Sequence, residues 1–548
     1  METSSSSLPS RIASLVHAHF DALPARSKPT IHPDGSREWV PMSAIVVSKG
    51  QNTASETLKC VSLATGAKCL SASQIPRCRG LVLHDCHAEI LAIRAFNHWL
   101  LSECQSVLNS ERELQVSSAG NDSSIGSPYL RRRIGHDSNH ARDSQLWPPF
   151  EIQPDVKLYV YCTCAPCGDA SMELCMAAQD DPTPWQLPPK TEPKADEPST
   201  TPTLLDGRGY FSNLGVVRRK PSRADAESTL SKSCSDKLAL RQVSSLLSYP
   251  TSLLVAPTEA AYITALILPE EEISNVACAR AFGDGETGRM RMLKGRQWGT
   301  EGTDNGYRFR PFDILSVPTA EVEALWPFAK PKEAPIPEVA MESTKVSTKS
   351  RKKNKISNTS AIWTAAPSSV AEIRTEPAPK RSKTSSSSTA SNAAGLHETI
   401  INGVKQGNKA STPTMRGASA LSRAKMWLLL RDIVRPASLN GDAMPESSGL
   451  DKGTGQTIDA LIHDSAQQRI VEARTYECFK RDPDICPDWI KLRETALQEA
   501  KRVLKDWIPN RGDEQWSLES LADTGKPKLS KRPGRVDTSV DSIDRLKV

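Results

Sequence analysis

Val156-Lys-Leu-Tyr-Val-Tyr-Cys162-Thr-Cys-Ala-Pro166-Cys167-Gly168-Asp169-Ala170 is the stretch that decides the fold. Its β-branched and aromatic first half reads as a strand, the proline stops it, and Asp169 to Ala177 suits a helix. Cys167 therefore falls where a strand hands over to a helix. Free N–H groups at a helix start lower a thiol pKa and favour the thiolate that a metal ion takes. By itself Pro166-Cys167-Gly168 fits a buried, inert thiol as well, so the reading depends on what surrounds it.

Outward from this stretch the pattern stays mixed α and β. Ser43 to Ser48 and Lys59 to Leu63 read as strands leading into a Thr65-Gly66 turn, and Tyr262 to Leu268 reads as another strand. From His87 to Leu101 the residues Ile90, Leu91, Ile93, Phe96, Trp99 and Leu100 recur at helical spacing, with Asp85 placed as an N-cap. Cys234 to Arg241 opens a further helix, and Trp489 to Trp507 forms a long amphipathic one.

Three polar stretches interrupt this pattern. Residues 106–145 are rich in Ser, Asn, Asp and Gly around Arg131-Arg132-Arg133; residues 179–203 are dense in Pro, Asp, Lys and Thr; residues 330–395 carry basic runs at 350–355 and 379–383. Such compositions cannot bury enough apolar surface to offset chain entropy, so disorder is expected. The apolar island Ala361-Ile362-Trp363-Thr364 is the exception and reads as a short strand. The third stretch holds twelve Lys/Arg against five Asp/Glu, which accounts for the net charge of +6 and leaves the remainder near neutral. Nucleic-acid binding by the folded part would then rest on local clusters, while the basic runs read first as solvated charge. The organisation expected is an N-terminal segment 1–42, one domain 43–525 carrying the inserts, and a basic tail 526–548.

The 548 residues are 38% hydrophobic and 24% charged, which fits a soluble core diluted by polar segments. No apolar run approaches the roughly 18 residues that span a bilayer, and the N-terminus lacks the pattern of a secretory signal. An intracellular, reducing setting, cytoplasm or nucleus, is the expectation. Thirteen cysteines without regular spacing then read as free thiols or metal ligands.

A second motif, His87-Ala88-Glu89, opens the first long helix. Histidine two residues before glutamate lets one side chain bind metal while the other reaches the reacting water, the arrangement of zinc nucleobase deaminases. A catalytic zinc needs three protein ligands and one open position. A Cys-x-x-Cys partner three residues after Cys167 is ruled out because that residue is Ala170. Cys164 lies on the strand side of the proline and Cys175 two turns along the following helix. Cys234, in Ser233-Cys234-Ser235-Asp236-Lys237, remains as the candidate.

His87-Ala88-Glu89, Pro166-Cys167-Gly168-Asp169-Ala170 and Ser233-Cys234-Ser235-Asp236-Lys237-Leu238-Ala239, in this order, resemble the adenosine-to-inosine RNA-editing deaminases. Thr65-Gly66-Ala67-Lys68-Cys69 is similar to that family's substrate loop, with Thr65 and Lys68 as candidate substrate contacts. The resemblance covers most of the chain from about Ile45 to Ser517, between the inserts. It implies an α/β fold, a cytidine-deaminase-like mixed sheet flanked by helices, with a C-terminal helical elaboration. It implies zinc on His87, Cys167 and Cys234, and Glu89 as proton donor and acceptor in hydrolytic deamination of adenosine to inosine. About forty residues precede the first strand, too few for a double-stranded-RNA-binding module, and Ser171-Met172 follows Cys167-Gly-Asp-Ala as in the branch acting on transfer RNA. The expected partner is therefore tRNA, at adenosine 37 beside the anticodon of tRNA(Ala), with no membrane and no obligate protein partner. A double-stranded-RNA or mRNA editor, and a silent RNA-binding relative, are the alternatives.

Relatives of this family bury inositol hexakisphosphate. Carried over by position, Arg94, Lys237, Tyr476, Lys480, Lys501 and Trp507, together with Arg423, would hold it here. The pattern departs at Ile93 and Leu240, where Arg is usual, at Arg241 for Trp, at Leu497 for Tyr and at His84 for Asn.

Overall fold

In the computed structural model, strand β1 (Met42–Lys49) lies antiparallel between β2 (Thr57–Thr65) and β7 (Val156–Cys162). Beyond β7, the strands Ile263–Pro269 and Asp313–Val317 add in parallel. Beyond β2, Thr359–Thr364, His397–Ile401 and Val404–Lys405 add antiparallel, so the apolar island is a strand. Among the described residues these make one mixed eight-stranded sheet flanked by helices. The structure describes residues 6–116, 127–135, 144–179, 181–184, 205–207, 209–220, 227–299, 306–331, 355–368, 395–435, 464–482, 485, 487–505 and 507–522. The expectations for 185–204, the bulk of 330–395 and the tail 526–548 lie outside these residues.

Strand side chains alternate, so the sheet builds two cores. Ala44, Val46, Tyr159 and Tyr161 face one side, covered by α1 (Leu8–Asp21) and the helix Thr319–Leu325. There Phe20, Trp326 and Phe328 meet edge to face, and the buried His17 lies with Nε2 2.8 Å from Tyr161 Oη. Ile45, Val47, Leu158, Val160 and Cys162 face the other side. That side is covered by α2 (Ala88–Val116), which crosses β1 and β2, and by α4 (Cys234–Ser244). No helix among the described residues is long and apolar enough to cross a membrane.

Local expectations change in three places. The strand β3 (Ala67–Cys69) pairs with β4 (Asp85–His87) through to Ala67 opposite His87, so α2 begins at Ala88 and Asp85 is no N-cap. Its carboxylate instead accepts from the His87 N–H at 3.0 Å. The polar stretch 106–145 is ordered at its edges: α2 runs to Val116, and β5 (Leu130–Gly135) pairs antiparallel with β6 (Ser144–Ile152). Arg131 pairs with Glu151 and Arg132 with Glu111, so acidic neighbours distant in sequence turn the basic run into a strand. The last long helix spans Pro487–Leu504 and stops at Lys505, whose φ is +54, leaving Trp507 beyond it.

The C-terminal helices Arg423–Val434, Tyr476–Arg481 and Pro487–Leu504 close the second core against α2 and α4. Trp516 seals them, stacked on Tyr476 at 4.8 Å between ring centroids and edge-on to Trp427 at 5.8 Å. Its indole lies on Gly80, where an added Cβ would come within 2.1 Å of the ring.

Candidate metal centre

His87 ends β4 and Glu89 stands in the first turn of α2, so both project from one strand-to-helix corner. Cys167 follows β7 and precedes a 3-10 turn, Asp169–Ser171, which leads into the short α3 (Met172–Ala177) in place of the single helix expected. Cys234 opens α4 behind a side-chain cap: Ser233 Oγ accepts from Asp236 N at 3.1 Å and donates to its carboxylate at 2.6 Å. The two cysteine segments clasp. Ser235 N donates to Cys167 O at 3.0 Å and Cys234 N to Cys167 Sγ at 3.4 Å. Gly168, at φ +105, makes this possible, because a Cβ there would stand 2.3 Å from Ser233 Oγ.

The clasp brings Cys167 Sγ to 3.7 Å and Cys234 Sγ to 3.6 Å from His87 Nδ1. Tetrahedral zinc with ordinary Zn–N and Zn–S bonds spaces its donors about 3.5–3.8 Å apart, so this donor set fits the ion that the sequence motifs imply. A hydrogen bond from Cys234 holds the Cys167 thiol well below its ordinary value, while burial pushes Cys234 up. Such a proton-sharing pair gives up its proton to a cation. Cys164 and Cys175 line the adjoining cleft but stand outside the triad.

Behind the triad lies a charge relay absent from the sequence reading. Lys220 Nζ, buried, is 3.0 Å from Asp85 Oδ2 and 3.3 Å from Cys234 Sγ, and Lys237 pairs with the same carboxylate. Burial opposes the charge on Asp85, yet Lys220 and Lys237 hold it well below the usual carboxylate range. Lys220 sits at the end of a polar loop where no periodicity singles it out. Its only sequence signal is that Asp85, two residues before a ligand, would need a partner.

The triad opens into a cleft of about 1380 Å³ lined by Glu89, Lys68 and Ser171. Glu89 is 4% exposed, and desolvation raises its pKa. Lys330, Arg219 and Lys409 add positive charge along the walls. Thr65 does not join them: it is fully buried, and its hydroxyl accepts from Ala361 N at 2.9 Å, tying β2 to its neighbour.

The residues expected to hold a polyanion gather elsewhere, between α2, α4 and the C-terminal helices. Arg94 Nε donates to Leu421 O at 2.9 Å, Arg423 to Asp513 O at 2.9 Å, and Lys480 Nζ lies 3.7 Å over the Tyr249 ring. Burial and then Arg493 and Arg423 push Lys480 well below its ordinary value; burial and Arg493 lower Lys501. Lys237 is drawn aside to Asp85, and the Trp507 ring carries Lys232 at 5.8 Å. Ile93 and Leu240 sit in the apolar core.

Comparison with known proteins agrees with this architecture. Residues 62–393, more than half of the chain, match the adenosine-deaminase (editase) domain. The tRNA-specific adenosine deaminase 1 of Schizosaccharomyces pombe is 35% identical over 308 residues, 56% of this chain and 66% of that protein. Its Saccharomyces cerevisiae namesake is 34% identical over 236 residues, 43% of this chain and 52% of the relative. The double-stranded RNA-specific editase B2 of Mus musculus is 30% identical over 129 residues, covering 24% of this chain and 14% of the editase. The chain thus spans about half to two thirds of the length of the two tRNA-specific relatives. By the extent of the domain match, the chain belongs to the adenosine-deaminase (editase) family.

Proposed function

We propose that this protein is a zinc-dependent deaminase that converts adenosine to inosine in transfer RNA, at position 37 beside the anticodon of tRNA(Ala). The observation that carries the reading is the convergence of His87 Nδ1, Cys167 Sγ and Cys234 Sγ next to a buried Glu89 on an open cleft. The tRNA-specific names of the relatives at 34–35% identity favour transfer RNA over duplex RNA, and Ser171 on the cleft wall supports the same branch.

His87, Cys167 and Cys234 would hold the zinc ion, which would supply an activated water by bringing its pKa from 15.7 to about 7. Glu89 accepts the proton of the water that adds to purine C6 and passes it to the ring nitrogen. It then takes the remaining proton from the new C6 hydroxyl and delivers it to the exocyclic amine, so that the C6–N bond breaks, ammonia leaves and the C6 carbonyl forms. A carboxyl whose pKa is raised by burial suits both halves of this cycle. The base must leave its stack to enter the cleft, which an anticodon-loop nucleotide does at lower cost than a paired one. Lys68, Arg219, Lys330 and Lys409 would meet the flanking phosphates. The buried basic groups Arg94, Lys480 and Lys501, gathered beside the Tyr476 phenol, support a resident inositol hexakisphosphate as a second, structural cofactor, since such groups need an anion to carry charge together.

Incubation with alanine tRNA and with a long RNA duplex, followed by inosine mapping, tests the reading. Inosine at position 37 of the tRNA is expected. Inosine confined to the duplex would reassign the substrate, and none in either would overturn the activity.

A further inference from the structure

Arg241 and Arg493 were not among the residues carried over for the polyanion, yet both stand in its cluster. Arg241 lies on α4 and donates to Leu247 O at 3.0 Å, a contact that satisfies one of its guanidinium nitrogens. Arg493 lies on the helix Pro487–Leu504 with its guanidinium carbon 5.9 Å from the Tyr249 ring, the ring over which Lys480 Nζ sits at 3.7 Å. Among the described residues Arg493 Nε finds no hydrogen-bond acceptor.

The electrostatics of the cluster link these residues. Burial lowers Arg241 to about 10, helped by Arg493 and Arg94, and lowers Arg94 to about 10, helped by Arg423. Cations therefore face cations across the junction of these helices, with Asp85, Glu494, Asp513 and Glu514 as acids in reach. Arg94, Arg241, Lys480 and Arg493 are each only partly enclosed, so an anion can reach them. Folding that many like charges together is unfavourable unless a polyvalent anion enters with them.

We infer that Arg241 and Arg493 are direct ligands of a buried polyphosphorylated anion and take over the charge withheld by Ile93 and Leu240. The inference rests on the resident polyanion proposed above and deepens it. Ile93 and Leu240 are buried in the apolar core at 3% and 9% exposure, so they leave the anion's charge unmatched on the α2 and α4 sides. Arg241 returns one guanidinium from the next position on α4. Arg493 returns the second from the facing helix, where it follows the core-facing Ile490 and Trp489 by three and four residues and so shares their side of the helix.

The test measures phosphate ligand directly. Protein purified from its native source is denatured, and the released anion is identified by mass spectrometry and phosphorus NMR. About one equivalent of inositol hexakisphosphate is expected from the unaltered chain. Arg241→Gln and Arg493→Gln should each retain the added hexakisphosphate about a hundredfold less tightly, whereas Lys491→Gln, on the exposed face of the same helix, should retain it fully. Arg241→Lys and Arg493→Lys, which keep the charge, should restore most of the retention.

The outcomes separate cleanly. An unaltered protein that releases no polyphosphate overturns the resident anion and this inference with it. One equivalent of anion in the unaltered chain, held as tightly by both glutamine variants, overturns the assignment of the two arginines alone. Where a glutamine variant aggregates, its lysine counterpart decides: occupancy near one supports a charge role, and aggregation again shows a packing role and overturns the assignment.

Discussion

The two faces of the central sheet are built from alternate residues of the same strands and solve opposite problems. Tyr159 and Tyr161 of β7 look toward α1, where burial is apolar and His17 is among the few polar groups. Leu158, Val160 and Cys162 look toward α2 and α4, which carry Glu89, Cys234 and Arg94 at their ends and edges, with His87 just ahead of α2. One face is stabilised by what the chain supplies alone. The other gathers thiol, carboxyl and guanidinium groups whose partners, on the proposed function, are a metal ion and an anion from outside. The contrast teaches that ligands here stand in for core residues on one side of a single sheet.

Substitutions on the two faces should therefore fail differently. Glu89→Gln is expected to lower turnover by about 10²–10⁴-fold with zinc content and unfolding midpoint unchanged, read by single-turnover inosine formation and metal analysis; a variant that still turns over normally would break the contrast at its strongest point. Phe20→Ala, on the dry face, should cost about 3–5 kcal/mol in urea unfolding while turnover per folded molecule stays the same.

The third prediction is a pH effect on the dry face. Burial lowers His17 to about 4 from 6.5, so the unfolded chain binds its proton first as the pH falls. Stability should drop by about 3 kcal/mol between pH 6.5 and 4 and level off below. Comparing unfolding curves of the unaltered chain and His17→Gln across that window isolates the contribution; parallel pH slopes would show that His17 is not its source. Smallest, Lys220→Met should weaken zinc retention against a chelator about 10–100-fold, because Asp85 and Cys234 lose the ammonium between them.

How much of this was readable in advance follows from how local each feature is. The strands at 43–48, 59–63 and 156–162, and the corner bearing His87 and Glu89, are short-range patterns and lie close to where periodicity sets them. Asp85 misled because its fate depends on β3 and on Lys220, which lies 135 residues away along the chain. Arg131 to Arg133 looked like solvated charge because Glu111 and Glu151, which pair with all three, come from the neighbouring helix and strand. Arg493 was hidden for a subtler reason. It stands in the apolar stripe, three and four residues after Ile490 and Trp489, where a single arginine reads as a long side chain reaching past the core to water.

The indole of Trp516 lying on Gly80 sets an order of events during synthesis. The three candidate metal donors have all been made once residue 234 is added, but the basic cluster is not complete until Arg423, Lys480 and Arg493 arrive and is closed over only by Trp516. At about 5–20 residues per second, Arg241 waits roughly 15–55 s for that seal. For that interval Arg241 and Arg94 are made but lack the helices Tyr476–Arg481 and Pro487–Leu504 that enclose them in the finished fold.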